Sequence, residues 1–401
     1  MSMADALTPT GWELLQQLTA LLTADTAEPD YRRLGQQLRG HGIPADTVSA
    51  VLTQLELRQL GRTKFAKFAS ELVYTRTGYE QATRMIVAAQ HATRYQGQAR
   101  VADLGCGIGA DALALAGLSI PVTGYEIDEE TAAAATVNLR FFPEASVRQA
   151  DVTTLDSAEL AGFTAFFCDP ARRDSLGRRL TNPESWSPKL SWCLQLPSAN
   201  IGVKVAPGIK YRDLPETTGE RPVEVQWVSV AGQLVEAGIW IGQLAGKPGR
   251  SALILDADGA GSTIHVADSV RSLAAGVPIA KQLGKYLFSI DPALLRAGGL
   301  AAAAKQVGAG SVSKSISYLT GDQVPEHARA WEIVANVAPR SREIKAAVSG
   351  FRDVQIHQKG SGMRVSEVRK KIGATTGEGR IHVFLTRIKD KHRAIIATDI
   401  R

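Results

Sequence analysis

The sequence predicts an α/β protein in which a largely parallel sheet of βα units lies between a helical N-terminal region and a small, basic α/β C-terminal module. Three features carry that expectation. Short apolar runs alternate with helical stretches from about residue 98 onward. A glycine-rich turn follows the first of those runs. Residues 340–401 hold 15 Lys and Arg against 6 Asp and Glu, a net of +9, whereas the residues before them carry 31 against 34, or −3.

Residues 1–95 read as helices. "GWELLQQLTALL" and "ADTVSAVLTQLELRQL" space their apolar residues by three and four, and Pro44 and Asp46 suit a helix start. Five runs of strand length follow: "ARVADLG", "IPVTGYEID", "ASVRQADV", "FTAFFCDP" and "NIGVKVAPG". "PVEVQWVSVAGQLVEAGIWIGQL" adds two runs joined by Ala-Gly, a hairpin signal. "SALILDADGAGSTIHVAD" reads as a further hairpin inside a mixed connecting region. The end reads strand, helix, strand, helix, strand, strand through "AWEIVANV", "REIKAAVSG", "DVQIHQKG", "VSEVRKKIG", "RIHVFLTRI" and "RAIIATDI". The expected organisation is 1–95 helical, 96–246 ligand-binding, 247–328 connecting and 329–401 basic α/β.

Composition narrows the function classes. Hydrophobic content of 44% with 21% charge is that of an ordinary soluble chain. Cys106, Cys168 and Cys193 lack Cys-x-x-Cys spacing, which argues against a disulfide framework or a zinc site and fits a reducing cytoplasm. The N-terminus has no secretory pattern, and no apolar run is long enough for a membrane span. The seven histidines are scattered without metal-ligand spacing, His357 and His382 falling in expected strands, so no metal is expected. A basic terminal module on a near-neutral body suggests an anionic polymer as partner; a solvated basic face is the plainer alternative.

The chemistry begins at "VADLGCGIGADALALA". Gly105, Gly107 and Gly109 sit between an apolar strand and an alanine-rich helix, where glycine permits a sharp turn and leaves the backbone open to a ligand. The spacing is Gly-x-Gly-x-Gly rather than Gly-x-Gly-x-x-Gly, with Asp103 two residues before the first glycine. This variant resembles motif I of the class I S-adenosylmethionine (SAM) methyltransferases, whose Rossmann-like sheet has the same five parallel-type strands and terminal hairpin. In that family the acid helps hold the methionine amino group. Glu126 closes the second strand, where a carboxylate can accept from both ribose hydroxyls, with Asp128 as the alternative. Asp151 ends the third strand, near where the family places an acid beside adenine; a strand-end cap is the competing role. The implied cofactor is SAM.

"CDPARR" ends the fourth strand on the methyl-acceptor side. Amino-methylating enzymes for nucleic acid read Asp/Asn-Pro-Pro-aromatic there, and the ring stacks on an extruded base. Here Asp169 and Pro170 are followed by Ala171 and Arg172, so stacking falls to the Arg172 guanidinium, or to Trp186 or Trp192 folding back. RNA 5-methyluridine enzymes carry Asp-Pro-Pro-Arg but need a later cysteine nucleophile, and no cysteine follows residue 193. Direct transfer to nitrogen or oxygen is expected, with Asp169, Pro170 and Arg172 at the acceptor. Arg172, Arg173, Arg178 and Arg179 suit phosphates of an entering polynucleotide, or a solvated loop balanced by Asp174 and Glu184.

"YTRTGYEQATR", "VADLGCGIGAD", "DPARR" and "SGMRVSEVRKKIGA" together resemble bacterial class I SAM methyltransferases with a THUMP-like domain, over about residues 60–401. True THUMP domains bind RNA, so the resemblance implies RNA as partner, tRNA or rRNA, methylated at a base nitrogen. Arg364, Arg369, Lys370 and Lys371 on "RVSEVRKKIG" are the expected docking charges, with Val365, Val368 and Ile372 turned to the core. Thr75 and Gln81 are set either to reach the methionine carboxylate or simply to cap a helix. Methylation of a small molecule or protein, or RNA binding with vestigial SAM binding, are the competing readings.

Overall fold

The apolar spacing over residues 45–60 forms a longer helix than the pattern required. In the computed structural model, which describes residues 3–24, 29–174, 176–217, 220–266 and 276–400, that helix runs Ala45–Phe65. Pro44 caps it with φ −55° and ψ 139°, and Asp46 lies in its first turn, where negative charge meets the helix dipole. The N-terminal helices are α1 (Ala4–Leu7), α2 (Pro9–Ala24), α3 (Tyr31–Gly40), α4 (Ala45–Phe65), α5 (Arg76–Gln81) and α6 (Met85–Thr93). No helix among the described residues is long and apolar enough to cross a membrane.

The chain divides into two units, Met1–Glu224 with Ala237–Pro248, and Val225–Glu236 with Gly249–Arg401. The first unit carries β1 (Val101–Leu104), α7 (Ala110–Gly117), β2 (Val122–Glu126), α8 (Glu129–Asn138), β3 (Ala145–Gln149), α9 (Ser157–Ala161), β4 (Ala165–Cys168), α10 (Leu190–Cys193) and β5 (Asn200–Val205). The hairpin strands β6 (Val223–Val230) and β7 (Gln233–Ile241) follow. The order is β3-β2-β1-β4-β5-β7, with β1 to β5 parallel and β7 antiparallel to β5 through Val203↔Ile239 and its neighbours. Every residue of β1 and β4 is buried, which is why both appear as unbroken apolar runs. Strand order reverses between β1 and β4, so the loops leaving their carboxyl ends flank the crevice where such sheets bind ligands.

The helical region is tied to this sheet by polar clamps. Asn138, at the end of α8, accepts from Val73 N (2.7 Å) and donates to the carbonyls of Val73 (3.0 Å) and Ile108 (2.9 Å). Gln54 on α4 brackets Tyr74, donating to its carbonyl (2.7 Å) and accepting from its amide (3.0 Å). The irregular segment before α5 thus has its backbone groups satisfied by side chains, as buried non-helical backbone requires.

The second unit holds β8 (Gly249–Leu255), β9 (Gly261–Val266), β10 (Tyr286–Ile290), α11 (Pro292–Ala297), α12 (Leu300–Gln306), β11 (Gly310–Ser311), β12 (Leu319–Gly321), β13 (Ala328–Val337), α13 (Ser341–Val348), β14 (Asp353–Gln358), α14 (Val365–Ile372), β15 (Arg380–Ile388) and β16 (Lys391–Asp399). The expected β8–β9 hairpin is present, paired Ala252↔Ile264; Ala267 and Asp268 of its sequence lie outside the described residues. From residue 328 onward the elements follow the expected strand, helix, strand, helix, strand, strand. Their sheet runs β11-β12-β10-β13-β16-β15-β14, with β14 and β15 parallel. Ile381, Val383 and Leu385 point to the face covered by Ile344, Val348, Val368 and Ile372 of α13 and α14. Phe384, between them, packs on the other face with Trp331, Tyr318 and Ile395.

Candidate active site

The loop after β1 uses its glycines for different reasons. Gly105 (φ +84°) lies so near the fourth-strand loop that a Cβ there would stand 2.8 Å from the Asp169 carbonyl oxygen. Gly107 (φ +55°) faces open space, with nothing within 4 Å of where its Cβ would be. Gly109 (φ +85°) caps α7 in the left-handed conformation. The result is a backbone cradle at the carboxyl end of β1.

Asp103, in β1, is 1% exposed, and neither carboxyl oxygen has a hydrogen-bond partner among the described residues. Burial, then repulsion from Asp111 and Asp169, pushes its pKa well above the carboxylate range. A buried, unpartnered acid is costly unless a ligand completes it. Glu126 ends β2 with its oxygens accepting from the amides of Gly107 (3.0 Å) and Asp128 (3.0 Å), which aims it into the same cradle. An orphaned acid, an open glycine and a fixed carboxylate in one crevice fit the amino group and ribose of a SAM-type cofactor.

Two other acids are engaged locally. Asp128 caps α8, its Oδ1 accepting from Thr131 N (2.9 Å) and Thr131 Oγ1 (2.6 Å). Asp151 is exposed and caps a short 3₁₀ turn, accepting from Thr153 N (2.9 Å) and Oγ1 (2.7 Å), bonds that also lower its pKa. Thr75 likewise caps α5, accepting from Gly78 N at 3.0 Å.

Asp169 leaves β4 half-buried, and Pro170 behind it is buried. The partner of Asp169 is one that the motifs did not single out: Lys204 in β5, whose Nζ donates to Asp169 Oδ2 at 2.7 Å. Lys204 also donates to Thr83 Oγ1 (2.8 Å), Thr83 donates to Asp111 Oδ2 (2.6 Å), and His91 Nδ1 lies 2.8 Å from Asp111 Oδ1. Burial raises the Asp111 carboxyl, but the hydrogen bond and charge of His91 together with Lys204 and Thr83 outweigh it, and its pKa ends below the ordinary value. Asp111 is therefore the acceptor and His91 the donor. A lysine flanked by valines inside "NIGVKVAPG" is the sequence signal of such a network, since a buried cation needs a counter-charge.

The arginine stretch is a folded arm. Ala171 pairs with Ser187 and Arg173 with Arg179 in antiparallel bridges, around a turn in which Gly177 N donates to the Asp174 carbonyl (2.9 Å). Arg178 Nε bonds Asp174 Oδ2 at 2.7 Å, and Arg173 Nη1 bonds the Gly177 carbonyl at 3.0 Å. These two arginines brace the arm, while Arg172 is half-buried and Arg179 exposed. Glu184 is not their counter-charge: it accepts from Ser191 N (3.1 Å) and Oγ (2.5 Å). Trp186 is corrected as a stacking platform, because it is 4% exposed and donates to the Leu180 carbonyl (3.1 Å). Cys168 is buried beside Cys193, and burial raises its thiol pKa, as befits core packing.

In the C-terminal module, Val368 and Ile372 are buried and Val365 half-buried, so α14 turns Arg364, Lys370 and Lys371 to solvent. Arg369 reaches back to the Val354 carbonyl at 3.1 Å and so also braces the helix. His357 Nε2 lies 2.9 Å from His382 Nδ1, and His382 Nε2 lies 3.1 Å from Asp399 Oδ1. Burial, then the charges of His382 and Arg329, pushes the His357 pKa down to about 4. Among the described residues no group of three or more His, Cys, Asp or Glu is arranged to hold a metal ion.

Residues 328–399 match a family model described as THUMP domain-like, and residues 2–61 match one described as a domain of unknown function. An uncharacterized S-adenosylmethionine-dependent methyltransferase of Mycobacterium tuberculosis is 31% identical over 288 residues, 70% of this chain and 75% of the relative. The same match recurs in a second strain. A crystal structure of a proposed methyltransferase from Porphyromonas gingivalis W83 covers 97% of this chain and 98% of its own, with a TM-score of 0.69 and 17% identity. At that identity the likeness is one of fold.

Proposed function

The chain belongs to the S-adenosylmethionine-dependent methyltransferases, and from that premise we propose that it methylates a base nitrogen of structured RNA, a tRNA or rRNA. Bound SAM supplies an electrophilic methyl group. Asp103 would take the methionine ammonium, Glu126 the ribose hydroxyls, and the free oxygen of Asp151 the adenine edge; Asp128, committed to its cap, is the weaker ribose candidate. Asp169, with Pro170 fixing the turn behind it, would accept a hydrogen bond or proton from the acceptor nitrogen through Oδ1, because Oδ2 is held by Lys204. Arg172 would stack on or steer the acceptor, and Arg179 would meet phosphate; Arg173 and Arg178 contribute chiefly by shaping the arm.

Gly107→Leu is expected to fold and yet weaken S-adenosylhomocysteine binding at least about tenfold in calorimetry, since it fills the open side of the cradle. Undiminished binding would remove the glycine loop from the site.

The RNA reading rests on α14, which places Arg364, Lys370 and Lys371 on the outer side of a THUMP-like module. Such charges supply affinity through phosphates and carry little base specificity. Replacing those three by alanine, and sparing Arg369, is expected to flatten the log–log salt dependence of binding to total tRNA by up to about 3. Turnover at saturating RNA should survive. An unchanged slope would favour a small-molecule or protein substrate instead.

A further inference from the structure

We infer that Lys204 is the positioning residue for Asp169, and that Thr83 and Asp111 hold it in that task. The inference rests on the reading of Asp169 as the acceptor-side acid. Lys204 is 4% exposed and belongs to a central strand, so its cation is kept there at a cost that a purely apolar residue would avoid. Its Nζ donates to one Asp169 oxygen and to the Thr83 hydroxyl, and Thr83 in turn donates a hydrogen bond to Asp111. His91 fixes the other Asp111 oxygen from α6, and its ring lies against both Phe167 (5.4 Å) and Trp240 (5.3 Å), which stack on each other. The chain of bonds runs from a rigid aromatic core to the crevice. It leaves Asp169 with one oxygen anchored, while Oδ1 accepts no hydrogen bond from the described residues.

Geometry of this kind has a consequence for mutational coupling. A lysine that serves only to neutralise Asp111 would affect transfer independently of Asp169. A lysine that orients Asp169 loses its value once the carboxylate is gone. Lys204→Met keeps length without charge; Thr83→Val removes the hydroxyl anchor and retains shape, should Lys204→Met fail to fold. The experiment is a double-mutant cycle of each with Asp169→Asn, read as single-turnover transfer of tritiated methyl groups from SAM into total bacterial RNA, and in parallel into the protein and small-molecule fractions of the same extract.

Lys204→Met is expected to slow transfer by roughly 10²-fold and Thr83→Val by roughly tenfold, with S-adenosylhomocysteine affinity unchanged within about threefold. Each double variant should be no slower than Asp169→Asn alone. Multiplicative losses, or loss of cofactor affinity in parallel with rate, would overturn the positioning role. Wild-type label found only in protein or small molecules would remove the RNA reading, and the cycle on that fraction would still decide the role of Lys204. Label in no fraction would overturn both.

Discussion

Asp169→Asn is expected to slow methyl transfer by roughly 10²-fold or more while cofactor affinity stays near wild type. The substitution is close to isosteric, and the amide oxygen can still accept from Lys204, so the fold and the network should persist. What disappears is the negative charge and the ability of Oδ1 to take a proton from an acceptor nitrogen. Backbone contacts of residue 169, including its amide to the Leu104 carbonyl at 3.0 Å, are unaffected. Single-turnover transfer set beside calorimetry with S-adenosylhomocysteine separates the two effects. Parallel losses in both would assign Asp169 to the cofactor pocket.

Cofactor binding should tighten as pH rises, releasing up to one proton per molecule bound. Asp103 is the cause. Its carboxyl is buried without partners, and the charges facing it are Asp111 from α7, Asp169 after β4, Glu126 from β2 and Lys204 from β5. Its raised pKa means that the free protein retains the proton at pH values where an exposed carboxyl has lost it. Folded protein therefore binds this proton more tightly than unfolded chain, so the group's contribution to stability falls as pH climbs from the unfolded pKa towards the folded one, then levels. An arriving ammonium favours the ionised form and expels the proton. Below the folded pKa, affinity should rise by up to about tenfold per pH unit. Asp103→Asn should flatten that dependence and weaken binding by about 1.5–3 kcal/mol, the scale of hydrogen bonds to a charged group. Binding enthalpies measured in buffers of different ionisation heat count the proton; enthalpies independent of buffer would show that Asp103 does not titrate on binding.

Much of the architecture was legible because it is encoded locally. The glycine spacing, the acids at strand ends and the order of elements from residue 328 onward all depend on neighbours within a few positions. Local capping was readable at Asp151, whose strand-end role is met by its bond to Thr153 two residues on, whereas the cap that Asp128 makes through Thr131 was not among the expectations. The network behind Asp169 was not legible in the same way. Its Lys204–Thr83 contact spans 121 residues of sequence, and only tertiary folding brings the two together. The arm after β4 was hidden for a different reason. "RRDSLGRR" has the composition of a solvated loop, yet Arg173 pairs with Arg179 within it, and a second bridge brings Ser187 to Ala171 from outside it.

That arm also bears on how the enzyme can change. It closes on itself through its own backbone bridges and its own Arg178–Asp174 pair, and its buried Trp186 anchors to its own Leu180 carbonyl. The loops leaving β1 and β4 meet at a tight joint, where Gly105 passes the Asp169 carbonyl. The bridges and the Arg178–Asp174 pair are made within the arm, so a substitution at the exposed Arg179 leaves that joint intact, whereas a side chain at position 105 would press on the Asp169 carbonyl.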